Sequence, residues 1–107
     1  MATPKNAHGG IDFKDEELDE VIRIFKTLSD PSRVRILTAL SQQESLPVGE
    51  IAERLEMKIS SVSHQLSTLK MLGFVKNQRE GQHVYYSLDD DCITDIMMRA
   101  RDHVTGR

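Results

Sequence analysis

The sequence predicts a mainly α-helical fold with a small β-hairpin, arranged as a winged helix-turn-helix of about five helices and a two-stranded wing. A helical pattern over about residues 59–72 ends at Gly73, a residue type that commonly follows the last turn of a helix. Two strand-like segments with a glycine turn come directly after it, over residues 74–88. Aromatic residues make up 5% of the chain, and Leu, Ile, Val and Met dominate the apolar residues, which suits packed helices.

The length of 107 residues allows one small domain, whose core would be marginal without a partner. We expect residues 1–12 to form a disordered N-terminal arm and residues 13–107 to form the domain. One cysteine cannot form an intrachain disulfide, which favours a reducing, cytoplasmic setting. No apolar run is long enough to cross a bilayer and no signal peptide is visible, so we expect no membrane partner.

Apolar spacing and a helix start signal indicate the first two helices. Apolar residues recur three and four positions apart over about residues 14–28, which predicts the first helix. Its stripe consists of Leu18, Val21, Ile22, Phe25 and Leu28. Asp30-Pro31 predicts the start of the second helix, because aspartate caps helices and proline suits the first helical position.

The remaining elements follow from breakers and turns. In chain order they are a linker (44–47), a short third helix (47–55), a fourth helix (59–72), the wing (74–88) and a last helix (90–104). Met57-Lys58 makes the turn into the fourth helix, and the wing turns at Glu80-Gly81-Gln82.

The fourth helix has one apolar face, and its other face carries small hydrogen-bonding residues. Serine and threonine are weak helix formers, so a run of them on an exposed face indicates a surface selected for contact. Small hydroxyls and amides reach base edges and phosphates without filling a DNA groove. We therefore call residues 59–72 the recognition helix. The candidate DNA-binding residues of this helix and the wing are Lys58, Ser60, Ser61, Ser63, His64, Gln65, Thr68, Lys70, Lys76, Arg79 and Gln82.

The formal net charge of −3 is unevenly distributed along the chain. Residues 31–88 hold seven Lys or Arg against five Asp or Glu, whereas acidic residues exceed basic ones in both flanking segments. Binding to DNA would therefore rest on a local basic patch and should weaken with salt. Arg33 and Arg35 could contact phosphate or pair with carboxylates such as Glu50 or Glu53.

Four segments, in order and at normal spacing, resemble the ArsR/SmtB family of bacterial metal-sensing repressors. They are FKTLSDPSRVRIL (25–37), VGEIA (48–52), SSVSHQL (60–66), and REG with YYSL (79–81 and 85–88). The resemblance covers about residues 17–104 and implies a homodimer on an inverted repeat of double-stranded DNA, which it leaves when an inducer binds. The chain departs from the family at Lys58, where Ser or Thr commonly caps the recognition helix.

A dimer also follows from the apolar residues at the chain ends. The last helix has an apolar face of its own, formed by Ile93, Ile96, Met97 and Ala100. Two recognition helices one DNA turn apart require two-fold symmetry. Plain intradomain packing is the alternative for this face, and we favour a dimer interface formed by the first and last helices.

The resemblance also implies where a metal inducer would bind. In some relatives the first site binds soft metals through cysteines of the third helix. The third helix of this chain has no cysteine, which excludes a thiolate site there. At the family's second site, between paired last helices, Asp90, Cys92 and His103 match three ligand positions, and Gly106 at the fourth offers no side chain. Cys92 and His103 lie roughly 16 Å apart along a helix, so one ion would need both chains. Such O, S and N donors suit zinc or cadmium.

The same residues allow several alternative interpretations. Asp89, Asp90 and Asp91 would also suit the N-terminal end of a helix, and a lone cysteine is often simply buried. Instead of sensing a metal, the protein could sense redox state through Cys92. It could also be a family member that has no inducer site. A winged-helix protein–protein adaptor is the other functional class. We find no catalytic motif, so we expect no enzyme. We also expect that folding requires no metal.

Overall fold

The computed structural model describes residues 9–106, so most of the predicted N-terminal arm lies outside the described residues. The elements in chain order are α1 (Asp15–Leu28), α2 (Pro31–Ser41), β1 (Leu46–Pro47), α3 (Val48–Leu55), α4 (Ile59–Met71), β2 (Val75–Glu80), β3 (His83–Leu88) and α5 (Cys92–Thr105). This order confirms a mainly α-helical winged helix-turn-helix. Among the described residues, no helix is long and apolar enough to span a membrane.

Local signals set the helix ends as the sequence predicts. The Asp30 carboxylate accepts a hydrogen bond from the backbone N–H of Ser32 at 2.8 Å, and Pro31 is the first residue of α2. After α4, Gly73 adopts φ +83°, and the N–H of Phe74 donates to the carbonyl of Leu69 at 3.0 Å. This left-handed ending turns the chain directly into the wing.

The sheet has three strands, one more than the predicted hairpin. β2 and β3 pair antiparallel from Val75↔Leu88 to Glu80↔His83, with Gly81 at φ +64° in the turn between them. β1 pairs with β3 through Leu46↔Tyr86 and Pro47↔Tyr85, where the sequence predicts a linker. Two residues are too few for a detectable alternation of apolar and polar positions. The added strand ties the wing to the connection between α2 and α3.

The core lies between α2, α3, α4 and the base of the wing, and α5 contributes Ile93 to it. Its fully buried large side chains are Ile36, Leu37, Leu40, Ile51, Val62, Leu66, Leu69, Val75 and Ile93. The stripe predicted for α1 mostly misses this core. Leu18, Ile22 and Phe25 are 41%, 43% and 56% exposed, whereas Ile24 and Leu28 pack against the core. One protomer therefore presents most of the α1 stripe to solvent.

Candidate nucleic-acid interface

The recognition helix α4 packs on the core through one face and presents the opposite face to solvent. Val62, Leu66 and Leu69 are fully buried on the inner face. The exposed residues of α4 are Ile59, Ser60, Ser61, His64, Ser67, Lys70 and Met71. Ser60, Ser61 and His64, three of the polar residues that the sequence singles out, thus lie on an accessible surface.

Three of the predicted contact residues are half-buried: Ser63, Gln65 and Thr68. The hydroxyl of Thr68 donates to the carbonyl of His64 at 3.3 Å within the helix. The side-chain oxygen of Gln65 accepts a hydrogen bond from Nε of Arg33 at 2.8 Å. Gln65 is therefore held by α2 rather than free, a contact that spans 32 positions and that no local pattern reveals.

The two arginines of α2 serve the protein's own structure. In addition to its hydrogen bond to Gln65, Arg33 forms an ion pair with the Asp30 carboxylate at 3.8 Å. Arg35 donates a hydrogen bond to the backbone carbonyl of Leu55 at 3.0 Å. Glu50, one of the carboxylates expected for them, pairs instead with Arg54 at 2.7 Å. Arg33 and Arg35 thus link α2 to α4 and α3.

The N-terminal end of the recognition helix is open. Lys58 precedes the helix in an extended conformation, and its side chain makes no capping hydrogen bond. The first backbone N–H groups of a helix lack partners inside it and favour anions such as phosphate. The exposed Lys58 adds a cation beside these groups.

The wing carries the remaining predicted contacts at and near its tip. Lys76, Arg79 and Gln82 are all exposed on or between β2 and β3. Within residues 9–106, the ion pairs are Arg33–Asp30, Arg54–Glu50 and Arg101–Asp102. In this described part of the chain Lys58, Lys70, Lys76 and Arg79 therefore carry charges without a carboxylate partner.

The predicted metal ligands lie at the two ends of α5. The Asp90 carboxylate accepts a hydrogen bond from the N–H of Cys92 at 3.0 Å, which also agrees with a capping role. Cys92 and His103 are both exposed. Over residues 9–106, one protomer brings together no group of three or more His, Cys, Asp or Glu that could hold a metal ion. A site from these residues would need a second chain.

Comparisons with known proteins agree with this arrangement. Residues 30–77 match the family described as bacterial regulatory protein, arsR family. The chain is 40% identical over 84 residues to the cadmium resistance transcriptional regulatory protein CadC homolog of Staphylococcus aureus. The aligned residues cover 78% of this chain and 69% of that protein. This chain is 37% identical over 89 residues to the transcriptional repressor SmtB homolog of Synechocystis sp., spanning 83% and 67% of the two chains.

A solved structure with a similar fold is the homodimeric winged helix-turn-helix DNA-binding domain of Mb0332 from Mycobacterium bovis. It superposes with a TM-score of 0.76 at 30% identity, over 94% of this chain and 95% of that domain. The shared architecture therefore extends beyond the matched segment to α1 and α5.

Proposed function

The chain belongs to the ArsR family of bacterial regulatory proteins, and from this we propose that it is a homodimeric repressor released from its operator by a divalent metal ion. The single observation that carries the DNA-binding part is the exposed polar face of α4 beside four unpaired basic residues. Family membership supports a regulator of transcription and indicates no catalytic activity. We expect it to act in the cytoplasm, on an operator that is an inverted repeat.

We divide the contact residues by chemistry. Base edges would be contacted by the small polar side chains of α4, and phosphates by the basic residues around them. The proposed base-contacting group is Ser60, Ser61, Ser63, His64, Gln65 and Thr68. The proposed phosphate-contacting group consists of the basic residues Lys58, Lys70, Lys76 and Arg79, together with the uncharged Gln82 of the wing turn. The first group would provide specificity, and the second would provide most of the affinity and its salt dependence.

The DNA-binding function is tested by selecting duplexes from a random library with the purified protein. We expect enrichment of an inverted repeat, with binding that weakens strongly between low and high salt. Ser61→Ala should weaken binding to the selected duplex about two- to tenfold, since one neutral hydrogen bond is lost. Ser45→Ala, at an exposed serine before β1, is the matched control. Absence of any retained duplex at low salt would favour the adaptor alternative.

The metal part of the proposal rests on the donor set at the ends of α5. Asp90 and Cys92 of one chain would join His103 of the partner subunit around a zinc or cadmium ion. The name of one relative, the CadC homolog, refers to cadmium resistance, which supports a soft divalent inducer. The ion would act by favouring the dimer form that fits the operator poorly, with a coupling of typically about 5- to 150-fold in affinity.

The metal site is tested by titrating the dimer with zinc or cadmium while thiolate absorption and operator affinity are followed together. His103→Ala should keep operator affinity and lose release by metal, and His83→Ala on the wing strand is the matched histidine control for metal release. Release that persists in His103→Ala would rule out the interchain site. Release by peroxide that is lost in Cys92→Ser would favour the redox alternative.

A further inference from the structure

We propose that Ile59 is a specificity-determining residue that contacts the 5-methyl group of a thymine in the operator, an inference that rests on the proposed DNA-binding function. Ile59 is the first residue of α4, and its side chain is 59% exposed. Its neighbours Lys58 and Ser60 are exposed as well. The N-terminal end of the recognition helix therefore presents one exposed apolar side chain between two polar ones.

Helix geometry directs this side chain away from the domain. The Cα–Cβ bonds of a helix tilt toward its N-terminus, so a residue in the first position extends beyond the helix end. The residue before it, Lys58, is extended at φ −69° and ψ 142°. No helical turn of α4 therefore precedes Ile59. In helix-turn-helix proteins the N-terminal residues of the recognition helix contact base edges. Ile59 would be among the first residues to meet them.

The chemistry of the major groove then selects the base. Thymine presents a 5-methyl group there beside its O4 acceptor, and none of the other three bases presents a methyl group. Isoleucine neither donates nor accepts a hydrogen bond. Facing another base, it would remove water from polar atoms without replacing the lost hydrogen bonds, which is unfavourable. Ile59 should therefore favour thymine at one position in each half-site.

The other strongly exposed apolar residue of α4 provides a comparison. Met71 is 84% exposed and is the last residue of the helix. It lies twelve positions after Ile59, about 18 Å along the helix axis. Base contacts concentrate at the opposite end, so Met71 should not distinguish thymine.

The test replaces thymine by uracil, which removes the methyl group and keeps the hydrogen-bonding edge. The duplex selected from the random library is synthesised with one thymine changed at a time, and its affinity is measured by fluorescence anisotropy. We expect one position in each half-site where uracil weakens binding about fourfold, the effect of transferring one methyl-sized group. Ile59→Ala should bind both duplexes equally at that position, and Met71→Ala should keep the preference.

Thermal melting checks that Ile59→Ala is folded, and Ile59→Val, which keeps two methyl groups, should retain part of the preference. The inference is overturned if no position is sensitive to uracil in the unaltered protein, or if the preference survives in Ile59→Ala. Failure to select any duplex is a different result, because it overturns the DNA-binding function and this inference with it.

Discussion

Gln65 is a glutamine whose orientation the protein itself sets. Its side-chain oxygen accepts the hydrogen bond from Arg33, and a guanidinium has only donors, so the amide oxygen must face α2. The amide nitrogen is then the group that remains for DNA. A donor alone suits an acceptor such as guanine O6 or N7 or thymine O4, whereas adenine is usually contacted by donor and acceptor together.

Arg33→Ala should weaken operator binding about three- to tenfold, because Gln65 loses the contact that orients it. Since both residues would act through one contact, the double variant with Gln65→Ala should be little weaker than Gln65→Ala alone. Binding curves for the four proteins of this cycle provide the measurement. Arg35→Ala, which removes an arginine of the same helix, is the control. Strictly additive losses would show that Arg33 acts independently of Gln65.

The C-terminal ends of α3 and α4 share one backbone device with different residues. Glu56, the first residue after α3, takes a left-handed conformation with φ +53°, and Gly73, the second residue after α4, takes one with φ +83°. In each, the next N–H donates back to the helix, from Met57 to Ala52 at 2.9 Å and from Phe74 to Leu69 at 3.0 Å. Side chains with a Cβ are disfavoured in this conformation, so the end of α3 is strained and the end of α4 is not.

Exchanging residue types at these two ends should change stability in opposite directions. Gly73→Ala should lower the free energy of unfolding by about 1 kcal/mol, and Glu56→Gly should raise it by up to about 1 kcal/mol. Nothing lies within 4 Å of a Cβ added at Gly73, so the first loss would report backbone strain and not a clash. Urea unfolding monitored by circular dichroism measures both. A rise for Gly73→Ala would contradict the argument.

The wing is a projecting element anchored at its base. β1 pairs with β3 beside Tyr85 and Tyr86, whereas the tip around Gly81 carries only exposed residues. An isolated two-stranded ribbon is marginally stable, so the third strand and the buried Phe74 and Val75 hold it on the domain. This places Arg79 near a tip that is free to meet a phosphate.

Arg79→Ala should reduce the slope of the logarithm of the operator association constant against the logarithm of salt concentration by about 1. Loss of affinity should be similar for selected and random duplexes, because a phosphate contact carries no sequence information. Anisotropy titrations at several salt concentrations measure both quantities. Arg99→Ala, at an exposed arginine of α5, should leave the slope unchanged. An unchanged slope in Arg79→Ala would place the wing away from the backbone.

The described part of the protomer leaves a large apolar region uncovered. The α1 stripe is exposed, and next to it an apolar groove of about 720 Å³ opens between α1, α2 and α5. Phe25, Val34 and Met97 contribute to its walls. Small domains bury a limited share of their surface, and large exposed apolar regions commonly mark interfaces, which supports the proposed dimer through the first and last helices.

Phe25→Glu should convert the dimer to a monomer, because a charge in an apolar interface loses its hydration. Sedimentation equilibrium gives the mass directly. Operator affinity should fall with the loss of the second recognition helix, while binding to random duplex falls less. Gln43→Glu adds the same charge at an exposed position after α2 and is the control. A dimer that persists in Phe25→Glu would exclude α1 from the interface.

The positions of the helices and of the wing were predictable because the signals that set them are local. The Asp30-Pro31 start, the Gly73 end and the glycine turn each act within a few residues. The start of α2 and both ends of α4 and the hairpin therefore lie within one or two residues of their predicted positions. The four short segments that carry the family resemblance lie in α1 to α4 and the wing, and they too can be identified from the local sequence alone.

Contacts between distant residues were not predictable, because no periodicity or cap encodes them. Helical spacing shows that α1 has an apolar stripe, but which residues a protomer covers depends on the packing of α2 against it. The β1–β3 pairing and the Arg33–Gln65 contact join residues about 30 to 40 positions apart, and they form only when the whole domain closes around its core. The proposed metal site goes one step further, because Cys92 and His103 can meet only across two chains.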